Sequence, residues 1–199
     1  MANLIWVDKN NNIIGYGEKL YTHQIGMLHR AFSLFLYDPN IKSLLLQKRS
    51  RSKYHSGGLW SNACCSHFID NDKRIVQQII DTICRELGYN PTFREIKRAV
   101  KIEISLPSSE FLFELGKFQY FCQYDGLAEN EIDTVYLNIT SSKAIIFSPN
   151  IEEVEDLQWR KLDFVVSDVK EHPEKYTSWF PMALDLVMKY IDDASMVKF

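Results

Sequence analysis

The chain has 199 residues, 46% hydrophobic and 25% charged, with a formal net charge of −3. That is a globular composition with room for a sizeable core, most simply one domain spanning residues 1–199, and it gives no electrostatic reason to expect a nucleic-acid partner. No stretch approaches the roughly 20 apolar residues of a membrane span. The four cysteines include no CxxC pair and no basic, apolar leader opens the chain, so free thiols in a cytoplasmic setting are expected rather than a disulfide scaffold.

In chain order, Leu4 to Val7 and Ile13 to Gly17 flank an Asn-rich turn and predict a hairpin. Ala31 to Tyr37 is an apolar run closed by Asp38-Pro39-Asn40, a turn signal, with Leu44 to Gln47 as its partner strand. Leu59 to Ser66 reads as one short strand after Gly57-Gly58. Residues 73–87 read as a helix: Ile75, Ile79 and Ile83 recur every four residues, as do Val76, Ile80 and Cys84. Asp70, Asn71 and Asp72 offer caps at its start, and Gly88 fits its stop. Strands are expected around Arg98 to Ile104, Lys117 to Gln123, Ile132 to Leu137 and Asp156 to Arg160, and a final helix over Trp179 to Ile191. Mixed strands with a few helices predict a sheet covered by helices.

The chemistry-bearing residues concentrate in residues 53–67, Lys-Tyr-His-Ser-Gly-Gly-Leu-Trp-Ser-Asn-Ala-Cys-Cys-Ser-His. Cys65 and His67, two apart on a strand, point to one face, and Cys64 then points to the other. Glu129 and Glu131 share a face by the same rule. With His23, His29 and His67 they make a donor set suited to Zn²⁺ or Mn²⁺. Spacing alone also admits ordinary core or surface histidines. Lys48, Arg49, Arg51 and Lys53 form a basic cluster that suits an anion.

Three segments fix a resemblance. His29-Arg30-Ala31-Phe32-Ser33, Cys65-Ser66-His67 and Glu129-Asn130-Glu131 together resemble type I isopentenyl-diphosphate isomerase, a member of the Nudix superfamily. The likeness runs from about Lys19 to Trp179. It implies an α/β fold of α+β type, a Nudix-like mixed β-sheet sandwiched between helices. It also implies interconversion of isopentenyl and dimethylallyl diphosphate, with a small allylic or homoallylic diphosphate as the only partner besides metal, and a monomer or weak homodimer.

In that family the positions of His23, His29, His67, Glu129 and Glu131 are metal ligands, for Zn²⁺ or Mn²⁺. The resemblance makes Cys65 and Glu131 the proton-transfer pair, with Tyr120 helping Glu131 and the indole of Trp179 facing the cationic intermediate. A cationic neighbourhood is expected to lower the Cys65 pKa. Lys19, Arg49 and Lys53 match residues that grip the diphosphate. Glu86 and the Cys65 backbone carbonyl match the Mg²⁺ contacts.

The chain departs from the family in the helix, where an arginine pair is usual and Asp81-Thr82 stands instead. Arg85, three residues on, lies roughly 60° round the axis and is the candidate replacement. Two other readings follow from the superfamily. A Nudix diphosphate hydrolase needs several helix carboxylates, and of the Arg-Glu-Leu-x-Glu-Glu-x-Gly pattern Asp81 to Gly88 keeps only Glu86 from the acidic set. A degenerate, non-catalytic diphosphate-binding homologue would have little reason to keep Cys65 and Glu131 together.

Overall fold

The computed structural model describes residues 3–69, 74–98 and 110–195. Strands β1 (Asn3–Val7) and β2 (Ile13–Glu18) form the expected hairpin and lead into a short helix, α1 (Lys19–Gln24), whose first turn is capped by the Glu18 carboxylate accepting from Tyr21 N–H. β3 (His29–Asp38) and β4 (Ser43–Arg49) follow. The single strand expected over Leu59 to Ser66 is instead two, β5 (Trp60–Ser61) and β6 (Cys64–His67). Asn62 interrupts them because its side chain takes over backbone partners, donating to the carbonyls of Leu34 at 3.2 Å and Cys64 at 2.6 Å.

Helix α2 (Ile75–Leu87) starts two residues later than expected. Its buried face is Val76, Ile79, Ile83 and Leu87, while Ile75 and Cys84 are exposed. The offered caps Asp70, Asn71 and Asp72 lie outside the described residues. Gly88 ends the helix at φ 60°, where a Cβ would come within 2.1 Å of the Ser148 carbonyl oxygen. Ser148 N–H and Asn150 N–H in turn satisfy the last carbonyls, those of Leu87 and Glu86.

The later strands are β7 (Glu95–Arg98), β8 (Phe111–Tyr124), β9 (Leu127–Ile139) and β10 (Val154–Lys161). The strand expected over Arg98 to Ile104 falls, beyond Arg98, outside the described residues. A helix not expected from the sequence, α3 (Leu162–Glu171), precedes α4 (Phe180–Ser195). The sheet runs β10-β4-β3-β9-β8-β7, with β3 and β9 parallel and at the centre. Two cores flank it. Phe32, Leu34 and Leu36 of β3 pack toward α2, while Phe35 and Tyr37 pack toward α3 and α4.

The topology opens the site. β3 pairs with β4 only at Tyr37 and Asp38, and from Ala31 to Leu34 its partner is β6. β4 meanwhile pairs with β5 and β10. The sheet therefore forks, and residues from both of its faces reach the gap. On the α4 side, β3 changes from His29, Ala31 and Ser33 to Phe35 and Tyr37. β9 changes in step, from Glu129, Glu131 and Asp133 to Val135, Leu137 and Ile139. The apolar halves lie under α3 and α4, and the polar half of β9, with Ala31 of β3, floors a cavity.

Candidate active site

That cavity has a volume of about 330 Å³. Strand alternation brings Glu129 and Glu131 into it from β9 and Cys65 and His67 from β6, while His29 of β3 lies fully buried beside the two glutamates. Cys64 points the other way and is fully buried in the α2-side core. His23 comes from α1 and is buried.

The ligand atoms of His23, His29, His67 and Glu129 all lie within 4.8 Å of one another. Glu129 Oε2 is 3.4 Å from His23 Nε2, 3.8 Å from His29 Nε2 and 3.4 Å from His67 Nε2. Glu131 Oε1 is 2.8 Å from His67 Nε2 and 3.6 Å from His29 Nε2. His29 Nδ1 lies 2.7 Å from the Met27 carbonyl, so it carries the ring proton and leaves Nε2 a free lone pair. The Nε2 atoms of His23 and His29 are buried without a hydrogen-bond partner among the described residues. Orphaned, converging imidazole nitrogens beside carboxylate oxygens are a donor set that fits a divalent cation.

The charges agree. Burial pushes His23 down to about 4, so its imidazole is neutral. Burial also opposes charging His67, but its hydrogen bonds to Glu129 and Glu131 outweigh this and hold it up at about 9. Burial opposes ionisation of both glutamates. Hydrogen bonds from His55 and His67 overcome it at Glu129, and at Glu131 the hydrogen bond and charge of His67 help overcome both it and the Glu129 charge, so both pKa values are lowered.

Next to this cluster sit the remaining expected residues. Tyr120 lies directly opposite Glu131 in the β8–β9 register; burial, with the nearby Glu131 and Glu129 charges, raises its phenol pKa. Trp179 is buried and donates from Nε1 to Asn62 Oδ1 at 3.1 Å, which fixes its ring against the cavity. The Tyr120 and Trp179 rings are 6.1 Å apart.

Arg49 lies over the Trp179 ring at 5.4 Å and brings Nη1 to 4.0 Å from Cys65 Sγ. The expectation of a lowered Cys65 pKa is corrected here: desolvation outweighs Arg49 and the thiol is pushed up to about 12.

Lys19, Arg49 and Lys53 all border the cavity, with Glu86 of α2 across from them. Arg49 Nε is buried without a hydrogen-bond partner among the described residues. Lys53 is ion-paired with Glu153. Burial raises the Glu86 pKa against the pull of Arg85, whose Nη2 is 3.1 Å from Glu86 Oε1. Arg85 also borders the cavity. Thr82 does not; it is buried with its hydroxyl on the Gln78 carbonyl at 3.0 Å.

Tyr54, His55, Asp133 and Glu153 are among the cavity residues that carry no role in the sequence reading. Asp133 continues the alternation of Glu129 and Glu131, a signal present in the sequence. His55 and Glu153 enter from loops, where no periodicity marks them.

Comparison with known proteins decides the family. The chain is 36% identical over 177 residues to isopentenyl-diphosphate Delta-isomerase 2 of Photorhabdus laumondii, covering 89% of this chain and 87% of the relative. It is 33% identical over 195 residues to the isopentenyl-diphosphate Delta-isomerase of Aliivibrio fischeri, covering 96% and 98%. The chain belongs to the isopentenyl-diphosphate Delta-isomerase family. No family model matches it.

Solved structures agree on a Nudix fold for this isomerase-family chain. The NUDIX domain of Shewanella oneidensis NrtR, complexed with ADP ribose, superposes with a TM-score of 0.55 at 15% identity, covering 82% of this chain and 87% of that one. A MutT protein from Methanosarcina mazei gives 0.54 at 10% identity, covering 83% and 94%. No helix among the described residues is long and apolar enough to cross a membrane.

Proposed function

We propose that the chain interconverts isopentenyl and dimethylallyl diphosphate by proton transfer. The observation that carries this reading is the meeting of Cys65, Glu131, Tyr120 and Trp179 around one cavity beside a five-residue histidine–glutamate cluster. The reaction adds a proton at C4 of the substrate, moves the double bond from C3–C4 to C2–C3, and removes a proton from C2. It needs an acid and a base on opposite faces of the allyl unit. It also needs a wall that stabilises positive charge without attacking it.

Cys65 and Glu131 are assigned as the acid–base pair. Glu131 delivers the C4 proton with Tyr120 beside it, and Cys65 takes the C2 proton. In the free chain the shared proton rests on Cys65, whose thiol is neutral, while Glu131 is ionised. That is the state left after turnover in this direction, so a proton must return to Glu131 before the next cycle. The Trp179 face is the charge-stabilising wall, worth about 2 kcal/mol in a desolvated pocket.

His23, His29, His67, Glu129 and Glu131 would hold one Zn²⁺ or Mn²⁺, which makes a bound carboxyl group a stronger acid. Glu86 and the Cys65 carbonyl would share a Mg²⁺ with the diphosphate. Lys19, Arg49 and Lys53 bind the diphosphate, and Arg85 takes the part that Thr82 cannot play. The hydrolase alternative loses ground because Glu86 is the only carboxylate of α2 that borders the cavity.

The test is an NMR assay in deuterated water with isopentenyl diphosphate, Mg²⁺ and Zn²⁺. Dimethylallyl diphosphate carrying deuterium at its new methyl group is the expected product. Unchanged substrate with folded, metal-loaded protein contradicts the reading.

A further inference from the structure

The two oxygens of Glu129 face different partners. Oε2 faces His23, His29 and His67. Oε1 accepts from His55 Nε2 at 3.0 Å and from the Tyr54 hydroxyl at 3.4 Å. A carboxylate can only accept, so His55 Nε2 carries the proton.

The His55 ring is held from several sides. It stacks on Tyr124 at 4.8 Å between centroids, meets Tyr54 edge-on at 4.6 Å and meets Trp179 edge-on at 6.1 Å. Its Nδ1 lies 3.2 Å from Ser56 Oγ. Ser56 donates to the Tyr124 hydroxyl at 3.4 Å, and that hydroxyl is 3.0 Å from Ser178 Oγ. A polar chain thus runs from the residue beside Trp179 to the Glu129 carboxylate. Ser56 sits at φ 52°, a conformation uncommon for a non-glycine residue, and its hydroxyl lies between His55 Nδ1 and the Tyr124 hydroxyl.

We infer that His55 is a positioning residue for the metal centre: it holds Glu129 Oε1 so that Oε2 alone is presented to the three imidazoles. The inference rests on the reading that this cluster binds a divalent cation. A carboxylate freed from such a partner can rotate or offer both oxygens. Losing an outer partner of a ligand typically costs about 10–100-fold in metal affinity. His55 contacts Glu129 rather than the imidazole nitrogens, so its role is distinct from that of a ligand.

Two substitutions separate positioning from packing. His55→Phe keeps an aromatic ring against Tyr124 and Trp179 but has no N–H. His55→Gln loses the ring but offers an amide N–H to Glu129. Zn²⁺ affinity of the full chain is measured by competition with a chromophoric chelator, and unfolding of the metal-free proteins confirms the fold. His55→Phe is expected to bind Zn²⁺ about 10–100-fold more weakly and His55→Gln to recover most of that loss.

The reverse order, with His55→Phe unaffected and His55→Gln impaired, makes His55 a packing residue and overturns the inference. Co²⁺-loaded His55→Phe should keep the wild-type ligand-field band positions; a changed coordination spectrum makes His55 a ligand and also overturns it. A wild-type chain that binds neither ion overturns the metal reading itself. Wild-type binding with His55→Phe equally tight overturns only the positioning role.

Discussion

The two ends of the cavity are built differently. At the histidine–glutamate end the side chains of His23, His29, Glu129 and Glu131 are at most 7% exposed, and each carboxylate lies against imidazole nitrogens. At the cationic end Lys53 is 24% exposed and Arg85 50%, and each is held by a carboxylate, Glu153 and Glu86. The first end is assembled by sheet register before any ligand arrives, because β3, β6 and β9 fix the depth of each side chain. The second combines Arg49, buried on β4, with the flexible Lys53 and Arg85 on a loop and a helix; under the proposed function Arg49 is already in place and the diphosphate must gather the other two. Under the proposed function, geometry for proton transfer is thus pre-set, and affinity for the phosphates depends in part on ligand-induced order.

Substitutions can break this contrast. Glu131→Gln should lower turnover by about 10²–10⁴, the range for a general acid or base, in the deuterated-water assay. Loss of less than tenfold would mean that Glu131 is not the proton donor. Arg49→Ala should raise KM by roughly 10–150-fold, because a buried guanidinium with an unpaired Nε contributes a charged contact of about 1.5–3 kcal/mol. Lys53→Ala should cost less, since Glu153 already neutralises Lys53 in the free chain. Equal effects of the two would remove the distinction drawn between a pre-set and a gathered cation.

The smallest expected effect concerns the Cys65 thiol. Its pKa is raised to about 12, so the neutral thiol dominates at pH 7 to 9. Alkylation of the Cys65 peptide, followed by mass spectrometry, should therefore climb about tenfold per pH unit through that range, as the thiolate fraction does. A plateau by pH 9 would show that Arg49 controls this thiol after all.

Much of this was legible in the sequence where a period was present. Alternation placed Glu129 with Glu131 and Cys65 with His67, and set Cys64 apart from them. The α2 repeat and Gly88 located that helix and its end. What escaped has physical causes. α3 carries a valine pair and has no side-chain cap at its start, so propensity and punctuation were both weak. The break in residues 59–66 comes from the Asn62 side chain reaching another strand, a tertiary contact that local pattern does not encode. His55 reaches the cavity because Gly58 N–H and Leu59 C=O close a loop on Arg49. The thiol expectation failed because a nearby cation was readable and the depth of burial was not.

Cys65→Ala tests the central assignment most directly, because Cys65 Sγ is outside the metal-ligand set and its loss should leave that site standing. Turnover and bound Zn²⁺ would be measured on the same sample. The expected result is wild-type metal content and thermal stability with turnover down by about 10²–10⁴. Wild-type-like turnover in a folded, metal-loaded Cys65→Ala would contradict the proposed acid–base pair.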